Sequence, residues 1–364
     1  MTTKVYHDLR EQLDQYSVGF PSTDSGVELK ILQKLFTEEE ALTFLSLSIL
    51  PEDVSTVAQR NGKQPEETAA LLERMYEKGL IFRMKEGERA KYAAVPFVVG
   101  SFEMQVKDMD RELAELYDRY LLEGFGKGVS LDPPLRPVPV NKSIEYSFPV
   151  EPYENVKEII KQKDTISVAK CISRVQRGLI DQGCDKPLET CFGFDFFAHY
   201  LVEKSVGRYV STDEALEIID KCEEAGLVPQ PTNDQDVFGM CNCCGDCCGV
   251  LRSIRLHPRP AEKVLSNYFV KIDPEACAAC GTCSDRCQMD AIKVGEAEVA
   301  EVDLDRCIGC GLCVSTCPST ALSLQRKPES ERKAPPATER DYTERLTTIR
   351  GTSLVPLSVI KRQS

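Results

Sequence analysis

Apolar positions in the first third of the chain recur at helical spacing, and turn-forming residues cut the pattern into short elements. Thr37 and Glu40 stand three residues apart just ahead of the apolar run ALTFLSLSIL. That is the spacing of a capping box, so a helix starts there and Pro51 ends it. DVSTVAQR predicts a second helix, closed by Asn61-Gly62, and PEETAALLERMYEK a third, opened by Pro65 and stopped at Gly79. LIFRMK and AKYAAVPF are rich in strand formers and flank the turn-prone EGER, which predicts a hairpin. MDRELAELYDRYLLEGFG carries an amphipathic helix as far as Gly124. Beyond it, YENVKEIIKQ and DEALEIIDKCEEAG read as helices, whereas KVLSNYFVKIDPEAC and AIKVGEAEVAEVDLD supply short strands and turns.

Breaks in the pattern divide the chain. Residues 1–25 are polar and punctuated by Gly, Pro and Ser, which predicts a loose N-terminal arm. Residues 26–125 hold a helix, a helix–turn–helix and a hairpin, an order that resembles a winged-helix domain. Residues 126–150 contain five of the 21 prolines and read as an extended linker. Residues 151–265 form a mainly helical, cysteine-rich domain, and 266–325 a third unit. Residues 326–364 are charged and proline-containing, which predicts a mostly disordered tail. The expected fold class is α+β and multidomain. The longest nearly apolar run, Ala41 to Leu50, is too short to cross a bilayer, so no transmembrane segment is expected.

Cysteine content changes this picture. The chain has 17 Cys against three His (His7, His199 and His257), so a metal site here is sulfur-rich and favours iron–sulfur clusters or zinc. The opening MTTKVYHDLR lacks the basic start, apolar core and cleavage site of an export signal. A cytoplasmic location follows as the expectation, and there thiols stay reduced and serve as ligands rather than cross-links. The formal net charge of −13 opposes attraction to nucleic acid or an anionic membrane.

Two stretches near the C-terminus repeat one pattern. Cys277, Cys280, Cys283 and Cys287 form the first copy, and Cys307, Cys310, Cys313 and Cys317, followed by Pro318, form the second. Each has the C-x2-C-x2-C-x3-C run, in which three thiolates at intervals of three can wrap a cubane and Gly281 or Gly311 lets the backbone turn. This region resembles a bacterial-type two-cluster ferredoxin domain. The resemblance implies that Cys277, Cys280, Cys283 and Cys317 hold one 4Fe–4S cluster, and that Cys307, Cys310, Cys313 and Cys287 hold the second. Gln288 stands where the first copy would carry the proline matching Pro318.

The stretch MCNCCGDCCGV sets Cys241, Cys243, Cys244, Cys247 and Cys248 among the turn residues Asn242, Gly245, Asp246 and Gly249. Such a loop makes a poor core, and adjacent cysteines pair badly because disulfide geometry is strict. With Cys171, Cys184 and Cys191 these five make eight candidate ligands of a further site, a third iron–sulfur cluster or zinc. Eight thiols could serve two four-ligand sites; one is expected. Cys222 shares a helical face with Ala215, Ile218 and Ile219 and reads as a buried core thiol. The paired CCG triplets resemble the cysteine-rich domain of heterodisulfide-reductase-like proteins. Together with CISR…GCDKPLETC and the C-terminal repeat, they resemble multi-cluster iron–sulfur proteins of anaerobes. In that pattern Ser173 occupies the place of a second cysteine, and a hydroxyl is a poor ligand for a soft metal.

No P-loop, G-x-S-x-G or H-E-x-x-H occurs, and no catalytic residue is assigned. His199 lies among aromatics and reads as a packed or partly exposed side chain rather than a base. Arg174 and Arg177 fall beside Cys171, where they either steady negative charge or face water. Residues 1–123 hold 15 Lys and Arg against 23 Asp and Glu, and the helix that would enter a DNA groove opens with Glu66-Glu67. That balance argues against nucleic acid and for docking to protein. The leading expectation is an electron-transfer protein or subunit serving a redox protein or oxidoreductase partner, a flavoprotein among the candidates. The alternatives are a redox- or iron-sensing winged-helix regulator and an oxidoreductase whose catalytic centre is the cysteine-rich middle domain.

Overall fold

Two packing centres organise the computed structural model, which describes residues 2–87, 89–144, 150–357 and 359. One unit comprises residues 1–134, 179–181 and 343–364; the other comprises 135–178 and 182–342.

In the first unit, helices Val27–Leu35 and Glu38–Phe44 precede a short strand β1 (Glu52–Asp53). Helices Val54–Asn61 and Pro65–Glu77 follow, then the hairpin of β2 (Ile81–Glu86) and β3 (Arg89–Ala94). β3 pairs antiparallel with β1 on one side and β2 on the other. The capping box forms: the Thr37 hydroxyl accepts the Glu40 N–H, and the Glu40 carboxylate accepts the Thr37 N–H at 2.8 Å. Val57, Ala58, Leu71, Leu72, Met75 and Ile81 are buried and make these elements one core.

Both chain ends differ from expectation. Residues Thr2–Leu13 form a helix where a loose arm is expected, because Val5, Leu9 and Leu13 fall on one face and are buried. The expected disordered tail carries a second helix, Glu339–Arg350. Its charges are satisfied individually: Arg345 meets Asp132 at 2.6 Å, Arg350 meets Asp14 at 2.9 Å, and Leu346 is buried.

The second unit is built on a five-stranded antiparallel sheet in the order β6-β4-β5-β8-β7. Its strands are β4 (Ile166–Lys170), β5 (Glu189–Phe194), β6 (Gly207–Val210), β7 (Val228–Pro231) and β8 (Gly239–Cys243). The cysteine-rich region therefore packs its helices on a sheet that the mainly helical expectation did not include. The two faces of the sheet differ. Val168, Phe192, Phe194 and Met240 pack with Ile159, Ala215 and Ile219 from the helices Val156–Lys161 and Thr212–Glu224. Strand periodicity turns Cys191, Cys241 and Cys243 to the opposite face.

Part of the expected linker belongs to this unit. The N–H groups of Arg136 and Val138 donate to the carbonyls of Pro231 and Pro229, both at 3.1 Å, so the segment lies along β7. Pro137 and Pro139 fall at the alternate positions, where an edge needs no donor. Residues 145–149 of the linker lie outside the described residues. The 151–265 region, apart from residues 179–181, and the 266–325 region fall in this unit. The latter contributes two small antiparallel pairs, β9 (Tyr268–Ile272) with β12 (Leu322–Arg326) and β10 (Ile292–Val294) with β11 (Ala300–Val302). Among the described residues, no helix is long and apolar enough to cross a membrane.

Candidate metal centres

The two C-terminal cysteine loops repeat one backbone path. Ala279 and Gly309 both take positive φ (52° and 68°), as do Gly281 and Gly311 (78° and 74°). At Gly309 a Cβ would come within 2.4 Å of the Tyr268 carbonyl oxygen, and at Gly311 within 2.2 Å of Ser143 Oγ. Glycine is needed there for space as well as for conformation.

An open pocket is walled by Cys277, Cys280 and Cys283 of the first loop and by Cys317 from the end of the second. Cys287 lies near the other loop: the thiols of Cys310 and Cys313 lie in electrostatic reach of Cys287 and Cys307, and Cys313 also of Cys283. Each loop thus meets a cysteine of the other copy.

Backbone amides face these sulfurs. Ala300 N–H donates to Cys277 Sγ at 3.4 Å, and Ala291 N–H donates to Cys287 Sγ at 3.2 Å. The two groups differ in exposure. Cys280 is exposed, and the Thr282 hydroxyl holds its thiol below the usual range. At Cys317, burial is outweighed by the Ser319 hydroxyl and by the amides of Leu322, Ala321 and Ser319, so its pKa also falls. Burial instead raises Cys307 and Cys313, and pushes Cys310 up to about 12.

All nine other thiols are free, and the adjacent cysteine pairs of the knot diverge. On the sulfur face of the sheet, Cys191 and Cys241 are paired in register. Cys241 reaches Cys191 and Cys243, and Cys243 reaches Cys248; Cys171 lies close enough to influence both Cys241 and Cys243. Beyond the end of β8, Cys244 and Cys247 turn to another neighbourhood, where they pack with Cys184, Cys222 and Leu227. Cys222 is buried, as expected of a core thiol, but its neighbours are sulfurs. Burial pushes its pKa up to about 12.

Arg174 lies buried at this junction. It donates to Thr190 Oγ1 at 2.8 Å, to the Asn242 carbonyl at 2.6 Å and to the Pro187 carbonyl. Burial disfavours its charge, but the thiols of Cys171 and Cys244 outweigh that and raise its pKa. Cys244 is correspondingly held below the usual thiol range, first by the S–H of Cys247 and, against the opposing effect of burial, by Arg174. His199 is exposed and bonds Tyr209 at 2.7 Å, outside these sulfur groups.

Three contacts carried no signal in the local sequence. They are the Thr282 hydroxyl beside Cys280, Ser319 beside Cys317, and the amide of Gln230, which donates to Cys248 Sγ at 3.9 Å.

The family model for a 4Fe-4S dicluster domain matches residues 270–324, from within β9 to within β12. No curated protein matches the chain, and no solved structure does. The C-terminal loops therefore lie in an iron–sulfur dicluster domain, and the soft thiolate donors and inward-facing amides suit such clusters.

Proposed function

We propose that this chain relays single electrons to or from an oxidoreductase partner, a flavoprotein among the candidates. Cys277, Cys280, Cys283 and Cys317 hold one 4Fe–4S cluster, and Cys307, Cys310, Cys313 and Cys287 hold the other. One observation supports the reading: Cys317 of the second copy lines the pocket of the first loop, and Cys287 of the first copy lies near Cys307, Cys310 and Cys313. When bound, a cluster supplies a one-electron couple. The residues set its surroundings. Amide donors at Cys277 and Cys287 stabilise negative charge on sulfur, and the burial of Cys307, Cys310 and Cys313 disfavours it. The exposed Cys280 marks the side from which electrons enter or leave. Cysteines of the middle region hold at least one further metal centre.

The order of helices and hairpin in residues 26–125 fits a winged-helix domain used for protein docking. Glu66 and Glu67 lie exposed at the start of the helix that would approach DNA, where carboxylates repel phosphate. An anaerobic gel shift with mixed-sequence duplex should show no retardation at physiological salt.

The main test is oxygen-free purification followed by iron and sulfide analysis and redox titration monitored by electron paramagnetic resonance. At least about eight irons per chain are expected. Cys317→Ser should alter the signal of one cluster and spare the other. A folded, iron-free protein would overturn the reading.

A further inference from the structure

The middle region divides its thiols between two places, and the division runs through each adjacent pair. Cys243 reaches Cys241 and Cys248, with Cys171 nearby, on the sulfur face of the sheet, and Cys244 lies at the boundary, within electrostatic reach of Cys171 and Cys248. Cys244 and Cys247 go with Cys184. In this second group the spacing is short: Cys184 Sγ lies 3.8 Å from Cys244 Sγ and 3.7 Å from Cys247 Sγ, and all three sulfurs fall within 4.8 Å of one another.

That spacing selects among metals. Four thiolates around a single zinc ion, with Zn–S near 2.3 Å, sit about 3.8 Å apart along the edges of the tetrahedron. A cubane gives each thiolate its own iron and spreads the sulfurs further. Consistent with this, no three cysteines of the C-terminal quartets come within 4.8 Å of one another. Leu227, Ile218 and Ala225 pack against the sulfurs, the Arg174 guanidinium lies beside Cys244, and Cys184 is partly exposed. Cys222 packs in the same cluster, outside the group of three sulfurs within 4.8 Å, and is the thiol at hand for a fourth bond.

We propose that Cys184, Cys244 and Cys247, completed by Cys222, bind one tetrahedral zinc ion as a structural centre separate from any iron–sulfur cluster. Zinc has no redox chemistry, so this centre conducts nothing. It pins the turn after β8 to the end of the Thr212–Glu224 helix and to the segment around Cys184. The five remaining thiols stay free for the further cluster. The proposal does not depend on the electron-relay reading, because zinc and iron are counted separately.

The test uses the full chain, purified without oxygen from zinc-supplemented cells. Wild type should carry about one zinc, and absorption at the zinc edge should show a sulfur-only shell at about 2.3 Å. Cys184→Ser with Cys247→Ser should lose the zinc and keep the wild-type iron content. Cys222→Ser should weaken zinc at least about tenfold in competition with a chelator, within the range seen when metal-site partners are lost. Overturning results are zinc absent from wild type, a nitrogen or oxygen shell at the zinc edge, or loss of iron instead of zinc from the double variant. The absorption measurement needs no variant, so misfolding of the substituted chains would leave it decisive. Unchanged affinity in Cys222→Ser would overturn the fourth ligand.

Discussion

The side-chain oxygen of Gln288 accepts the backbone N–H of Gly245 at 2.6 Å, which fastens the cysteine-dense turn to the residue that follows Cys287. The second copy of the repeat carries Pro318 at this position, and a proline side chain has no acceptor to offer. The contact is close on both sides: a Cβ on Gly245 would fall 2.7 Å from the Gln288 carbonyl oxygen. Nearby, Arg286 donates to the carbonyls of Glu223 and Glu224 at 2.6 and 2.7 Å, where the Thr212–Glu224 helix ends. The departure from the repeat thus serves packing between the two cysteine-bearing regions of this unit.

Replacing Gln288 should expose that role. Gln288→Ala leaves the Gly245 N–H buried without an acceptor, at a cost of about 1–3 kcal/mol. The variant should unfold at lower urea concentration, and the Gly245 amide should exchange its hydrogen faster. Wild-type stability together with unchanged exchange would mean that the bond contributes nothing.

What could be read from the sequence was local. Thr37 with Glu40, and the repeated loops at Cys277 and Cys307, are short-range patterns whose geometry follows from spacing. The five-stranded sheet was obscured because MCNCC looks like a knot, although Met240 and Cys241 already alternate between the two faces of a strand. The terminal helices were hidden by their charge, which finds partners far along the chain, as Arg350 does at Asp14. Cys222 could be recognised as buried, but no local pattern reveals that Cys244 and Cys247 lie against it. Gln288 stood out as an exception, while its partner lies 43 residues away.

Glu154 makes a second such tie. Its buried carboxylate accepts from Asn267 Nδ2 at 2.6 Å and from the Tyr268 hydroxyl at 2.5 Å, so it anchors the residues that open β9. Glu154→Ala should destabilise the chain by about 3 kcal/mol, since two buried donors lose their acceptor. Glu154→Gln keeps an acceptor oxygen and should cost less. Equal urea midpoints for the two variants would contradict this account.

Glu103 gives the first unit a pH dependence. Its carboxylate accepts the Gly100 N–H at 2.6 Å, yet burial outweighs that bond and raises its pKa from 4.5 to about 7. The folded state therefore holds a proton that the unfolded state releases. The associated stability is fully present below about pH 4.5 and is lost as pH rises through about 7. The gap corresponds to at most about 3 kcal/mol. Glu103→Gln should flatten this part of the profile and raise stability at pH 7.5 relative to wild type. Thermal unfolding of both proteins at pH 5.5 and 7.5 makes the comparison, and parallel profiles would remove Glu103 as the cause.

Thr282 should tune one cluster alone. Its hydroxyl lies 3.4 Å from Cys280 Sγ on the exposed side of the first loop. With that sulfur bound as thiolate, the hydroxyl donates to it and stabilises the more negative, reduced state. Thr282→Val keeps the shape and removes the donor. The first cluster should then become harder to reduce by a few tens of millivolts, since a hydrogen bond worth up to ~1 kcal/mol is lost mainly from the reduced form. The second cluster lacks this hydroxyl and should hold its potential. Redox titration monitored by electron paramagnetic resonance resolves the two. A shift of both clusters together would point to a general loosening of the fold, and a positive shift of the first would show that the hydroxyl does not donate to Cys280.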